Sequence, residues 1–140
     1  METPVSLIIL ILVIPLGLVF FLTASLSRRK RYEARLFAQG IEYIKQLRCL
    51  LTYVQQHRGL TTGFINGNRA VKADIDTLAV KIKRTIAELE YAGSWIRDNV
   101  KWASLVDHWT RVGTIFLQAD ADKNFKQHNI LIANILYLID

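Results

Sequence analysis

Arg58 is the residue of this chain whose chemistry most needs a cause. It lies in QQHRGLTTGFINGN, residues 55–68. Upstream, Ile44, Leu47, Leu51 and Val54 recur at spacings of 3, 4 and 3, the pattern of one apolar helix face. Continued, that register reaches Arg58 and Thr61. A guanidinium on such a face must reach water, pair with an acid or bind an anion, because an isolated buried charge is too costly. Its planar fork of donors matches carboxylates and oxyanions. Thr61 and Thr62, one turn on, carry hydroxyls that would complete an oxyanion pocket. A snorkelling or salt-bridged arginine is the plain alternative.

Gly59, Gly63 and Gly67 stand four apart and line one face if helical. Glycine inside a helix costs about 1 kcal/mol relative to alanine, so the set needs a local reason. Close packing of a neighbouring helix, room for a ligand beside exposed backbone, and an early helix end each supply one. Other chemistry is sparse. His57, His108 and His128 fall in three different predicted helices, with no HxxxH, ExxH or CxxC pair; they read as inward-facing polar residues rather than metal ligands. A contact between His57 and His128 across two helices fits that reading. Cys49 is the single cysteine and reads as a small apolar residue. Asp74 with Asp76, and Glu88 with Glu90, point to different helix faces and read as solvated surface. Trp102 and Trp109, seven apart, read as core. No nucleophile–base constellation or phosphate loop is present, so the sequence predicts neither an enzyme nor a cofactor.

The elements that position these residues are helices. One stripe uses Ile75, Leu78, Ile82, Ile86, Leu89 and Ile96, another Trp102, Leu105, Trp109, Val112 and Phe116, and a last Phe125, Ile132, Ile135 and Ile139. No segment alternates with period 2 for long enough to argue a strand. Breaks fall at Asn66-Gly67-Asn68, where Asn68 is placed to cap the next helix, at Asp98-Asn99, and at Asp120-Ala121-Asp122, where either acid can cap. Helices are predicted near 30–66, 69–97, 101–119 and 122–140. Short connections make neighbours antiparallel, which gives an all-α, up-and-down bundle of about four helices. The last segment, HNILIANILYLID, is apolar almost all round and expects cover from a second copy, a partner or further chain.

The run from Val5 to Leu26 has no charged residue. At 1.5 Å per residue these 22 positions span about 33 Å, enough for a ~30 Å hydrocarbon core. The leading MET has an acid and no base, unlike a signal peptide, although the ASLS that follows would suit cleavage. The sequence thus predicts a transmembrane anchor over 5–27, a basic segment over 28–35 and a helical domain over 36–140. Arg28, Arg29, Lys30, Arg31 and Arg35 crowd beside the span, so lipid headgroups are the expected counter-charge and the cytoplasmic side the expected place of the domain. Beyond Arg35, 13 bases face 10 acids; the basic excess of the chain, +6 overall, sits largely at the membrane, and nucleic-acid binding is not predicted.

HRGLTTGFINGN resembles the Q-x-[EH]-R-G-[LMA]-[ST] signature near the start of nitrate- and nitrite-sensing (NIT) domains, helical sensory domains of bacterial membrane receptors. The lead-in from Leu47 to Gly59 and the later FKQHNILI, residues 125–132, fit as well. The resemblance implies a ligand-sensing bundle in which Arg58 contacts nitrate or nitrite. It also implies signal transduction at the inner membrane, with a periplasmic domain where the flanking charges imply a cytoplasmic one. The family domain is longer and adds a second arginine from its later half, so this chain resembles its N-terminal half, an incomplete domain. The competing expectation is a membrane-bound interaction module, or a remnant of a sensor, in which the glycine face and the last helix pair with another copy or a partner membrane protein.

Overall fold

The computed structural model describes the backbone of residues 3–115, 117–118 and 120–140, and the side chains of these except 3–13, 94, 95 and 115. Phe116 of the predicted third stripe lies outside the described residues. The chain divides into two units, Met1–Ile41 and Glu42–Asp140. Among the described residues every regular element is helical.

The first unit is helix throughout its described part, and belongs to α1, Thr3–Ile65. Pro15 stands inside it. Leu18, Val19, Phe20, Phe21 and Leu22 are all at least half exposed. The hydroxyls of Thr23 and Ser25 donate to the carbonyls of Phe20 (2.9 Å) and Phe21 (2.8 Å). Much of the apolar run predicted as an anchor falls on residues whose side chains lie outside the description. Among the described residues, no helix is long and apolar enough to cross a membrane. In the basic segment Arg29 pairs with Glu33 at 3.0 Å.

The second unit is a bundle built from the later part of α1 with α2 (Lys72–Ala92), the single turn α3 (Ser94–Arg97), α4 (Val100–Ile115) and α5 (Ala121–Ile139). Its cross-helix pairs fix the directions. Tyr53 of α1 lies beside Lys81, while Gln56 and Leu60 lie beside Asp74 and Thr77 of α2. Glu90 of α2 meets Trp102, and Ala79 lies across from Gly113 of α4. His57 meets His128, and Thr61 meets Asn124 of α5. In each pair the numbers rise on one helix as they fall on the other. The arrangement is therefore up-down-up-down, as the short connections require.

The core joins Leu47, Leu50 and Val54 to Leu78, Ile82, Ile86, Leu89, Ile96, Trp102, Leu105, Trp109, Leu131, Ile132 and Ile135. The stripes of α2 and α4 are buried at the predicted positions. Those of α1 and α5 are buried in part, at Leu47, Val54, Thr61, Ile132 and Ile135, with Leu51 and Ile139 packed against the core. On α1 the buried line is Leu47, Leu50, Val54, His57 and Thr61, spaced 3, 4, 3 and 4, while Ile44 is 40% exposed. On α5 it starts with Asn124 and His128, and Phe125 is 45% exposed. Arg58 thus stands beside the core stripe and His57 within it. Glu90, expected in solvent, accepts the indole N–H of buried Trp102 at 3.1 Å.

Turn chemistry ends the helices. Gly67 has φ +107°, and its N–H reaches the Phe64 carbonyl (3.1 Å) while that of Asn68 reaches Gly63 (3.0 Å). This is a Schellman ending, with the glycine where an L-residue would be strained. Gly67 is therefore a helix terminator rather than a packing position. Asn68 makes no side-chain cap; a 3-10 turn, Arg69–Val71, leads into α2 instead. The second helix stops at Ala92, short of the predicted 97, because Gly93 is extended and a separate turn inserts Ile96 into the core. Asn99 Oδ1 accepts from the N–H of Lys101 (2.8 Å) and Asp120 Oδ1 from that of Lys123 (2.6 Å), capping α4 and α5.

A Cβ built at Gly59 or Gly63 meets no atom within 4 Å, so neither provides for a close approach within the described chain. Gly67→Ala is expected to lower the stability of the bundle by about 1–2 kcal/mol, because its φ is left-handed. Gly59→Ala is expected to raise it by about 0.5–1 kcal/mol, by removing a flexible residue from a helix interior. Urea unfolding of both variants, followed by tryptophan fluorescence, checks the pair. A loss at Gly59→Ala would mean that another surface packs there.

Candidate functional site

A layer of polar side chains occupies the end of the bundle where α1 finishes and α5 begins. Burial there makes each unpaired donor or acceptor costly. His128 Nδ1 is 2.8 Å from the Asn124 carbonyl. A carbonyl only accepts, so Nδ1 carries the proton and Nε2 of the neutral ring is an acceptor. That acceptor is 2.8 Å from His57 Nδ1, which must therefore donate. The chain of bonds assigns both tautomers and ties α1 to α5. Trp109 from α4 packs against the layer, its ring centroid 5.0 Å from that of His57 and the two planes at 76°.

Beside the pair, Asn124 Nδ2 donates to Thr61 Oγ1 at 3.0 Å and more weakly to Thr62 Oγ1 at 3.4 Å. Both threonines have already given their protons to their own helix, Thr61 to the His57 carbonyl (2.7 Å) and Thr62 to that of Arg58 (2.8 Å). Thr61 is fully buried. The two hydroxyls thus hold helices together and have no proton directed at a ligand. Asn124 Oδ1 is buried without a hydrogen-bond partner among the described residues.

Arg58 lies at the rim of this layer, half-buried. Its Nη1 donates to Asn129 Oδ1 at 2.5 Å, and its guanidinium lies 4.8 Å from the centroid of the Phe125 ring. Among the described residues every ion pair joins other side chains. Arg58 is held by an amide and an aromatic face, with no carboxylate neutralising it. The structure thus brings Arg58, Thr61 and Thr62 to one seam and separates their roles. The residues that sequence reasoning left out of the site are His57, Asn124, His128 and Asn129. A signal for three of them exists: Asn124, His128, Leu131 and Ile135 are spaced 4, 3 and 4, as are the buried positions of α1, and antiparallel packing sets the polar ends of both lines together.

The electrostatics follow from burial. Desolvation, reinforced by His128, pushes the His57 imidazole down to about 3, with Asp76 of α2 opposing weakly. His128 is lowered by burial against the help of the Asn124 carbonyl, and the Arg58 and His108 charges lower it further. His108 is lowered by burial and by Arg111, with Gln127 and Asp107 opposing. No group of three or more His, Cys, Asp or Glu side chains able to hold a metal occurs among the described residues. Fold and site together define a class: a small antiparallel helical bundle with a histidine-centred polar layer and a rim arginine. No family model matches the chain, and no curated protein or solved structure matches it.

The histidines give the bundle a pH dependence of known sign. The unfolded chain takes up protons below pH 6.5 while the folded layer stays neutral, so stability is complete above that pH and falls as the pH is lowered towards about 3. His57 alone should remove about 2 kcal/mol between pH 8 and pH 5, before the carboxylates titrate. Urea unfolding across that interval checks it. Replacing both His57 and His128 by Phe should flatten the slope, even if the absolute stability changes.

Proposed function

We propose that this protein is a single-pass membrane protein whose helical bundle is a sensory-type module, similar to nitrate- and nitrite-sensing domains, with Arg58 as its ligand for a small oxyanion. The observation that carries this reading is the state of Arg58: half-buried at a helix seam, fixed by Asn129 and Phe125, and without a carboxylate partner among the described residues. A guanidinium so held keeps its planar fork in one orientation while its charge still attracts an anion. Thr61 and Thr62 act in this reading by fixing the helix turn that bears Arg58. Since Arg58 and Asn129 join α1 to α5, an anion that takes donors from the amide would favour a different packing of the two helices. Such a difference in affinity between two packings is what a sensor requires.

The anchor is proposed from the uncharged run over 5–27. Exposed apolar side chains at five consecutive positions, Leu18 to Leu22, cover every side of a helix. A one-sided protein partner would leave some of them in water, whereas lipid covers all. Thr23 and Ser25 satisfy their hydroxyls on their own helix, as a nonpolar surrounding demands. Arg28, Lys30 and Arg31 would then meet lipid headgroups. Five basic residues beside the span favour an inner-membrane protein with its bundle on the cytoplasmic side, and the family resemblance a periplasmic one.

A second reading rests on α5, where Ile130, Leu136 and Tyr137 are 48%, 46% and 66% exposed. They suit an interaction module that pairs with another copy or a membrane partner. Thermal unfolding of the full chain in lipid nanodiscs separates the two. Nitrate or nitrite, against chloride at matched ionic strength, should raise the midpoint, by the equivalent of about 2.7 kcal/mol at 100 times the dissociation constant. The rise should vanish in Arg58→Ala. Equal midpoints in all three salts would remove the oxyanion reading and leave the interaction module.

A further inference from the structure

A cleft of about 260 Å³ opens between α2 and α4, with Trp109 in its lining. Its floor and walls are Ala79, Ile86, Val106 and Trp109, and its mouth carries Lys83, Thr110 and Thr114. Gly113 belongs to the lining as well, for a Cβ there would stand 3.3 Å from the six-membered ring of Trp109. A bare backbone at this point lets the indole lie along the cleft.

The charges at the mouth are one-sided. Of the other α2 cations, Lys72 is paired with Asp76 at 2.6 Å and Arg84 with Glu88 at 2.7 Å, while Lys81 lies outside the cleft, 5.9 Å from the centroid of the Tyr53 ring. Lys83 is in no ion pair among the described residues, and the lining contains no acid. Thr110 and Thr114 have turned their protons to the carbonyls of Val106 and Arg111, so Lys83 is the charged donor of the cleft. An apolar slot with one cation at its mouth matches an apolar body with one anionic end. Size narrows the class. An enclosed apolar cavity of about 150 Å³ takes benzene, and drug-sized ligands need about 300 Å³ or more. A cleft between these limits fits one ring, or a chain of similar volume, with a short acidic arm.

We propose that the α2–α4 cleft is a binding site for small apolar monocarboxylates, the carboxylate on Lys83 and the apolar body on Trp109. The site is separate from Arg58, yet its wall is the indole in T-shaped contact with His57. An occupant would therefore bear on the ring that packs against the polar layer.

The experiment is equilibrium dialysis of labelled phenylacetate against the full chain in nanodiscs, with empty nanodiscs as the blank. Saturable binding is expected, about tenfold weaker for Lys83→Gln, since a charge-assisted hydrogen bond is lost, and restored in Lys83→Arg. Ala79→Met, which fills the cleft from its other wall, should abolish it. Benzyl alcohol should compete at least about tenfold less well than phenylacetate. Arg58→Ala should bind as the parent does, which keeps this site distinct from the oxyanion proposal. Binding no greater than in empty discs, equal binding by Lys83→Gln, or loss in Arg58→Ala with Lys83→Gln unaffected would each overturn the assignment.

Discussion

The hydrogen bond between two neutral imidazoles, His57 and His128, is the constraint on which the rest of the bundle depends. Each ring is fully buried, and neither can face away from the other without leaving a polar nitrogen unpaired in an apolar interior. Such a loss costs about 1–3 kcal/mol, more than the bond itself contributes. The bond therefore adds little stability and a great deal of discrimination. A rotation of α1 by one residue, about 100° of helix, would bring Arg58 into the core and turn His57 to the rim. Both rearrangements are costly, so the register of α1 against α5 is closely specified.

That constraint also separates what was legible in the sequence from what was not. On α2 and α4 the apolar residues allow a single helix face, and the buried apolar positions there, Ile75 to Leu89 and Trp102 to Val112, are those that the spacing predicts. On α1, Leu47, Leu50, Leu51 and Val54 fit two faces that differ by one residue. Apolar periodicity cannot choose between them. The choice is made by polar side chains on another helix, 71 positions away in the chain, which local pattern does not see. The same holds for α5, where Phe125 looks like a core residue and Asn124 like a surface one, and the structure has them the other way round. Gly67 was recognisable as a turn residue from its neighbours, and its φ of +107° explains it without any packing role. Gly93 was overlooked because an extended glycine after a long amphipathic run leaves no apolar signal.

The separation of roles at the seam follows from proton counts. Thr61, Thr62, Asn124 and the two histidines direct their donors to one another and to carbonyls of their own helices. Arg58 differs because a guanidinium has more donors than Asn129 can accept from. That surplus of donors stands at the rim of the polar layer, on a half-buried side chain. The threonines, which residue type alone recommended as ligands, direct their hydroxyl protons to carbonyls of α1 and accept from Asn124.

The bundle is thus graded along its length. One end, with Leu47, Leu50, Leu89 and Trp102, is an apolar core in which each large side chain contributes about 1.5–3 kcal/mol by leaving water. The other end exchanges that gain for polar groups whose net contribution is close to nil but whose partners are fixed. Stability therefore resides towards one end and specificity towards the other. Arg58 and Asn129 bridge α1 and α5 at the rim of that polar end. Trp109 links the two ends, since one indole both belongs to the apolar core and makes a T-shaped contact with His57. A change in how that ring packs cannot be confined to the core; it must alter the surroundings of His57, and through His57 the contact with α5.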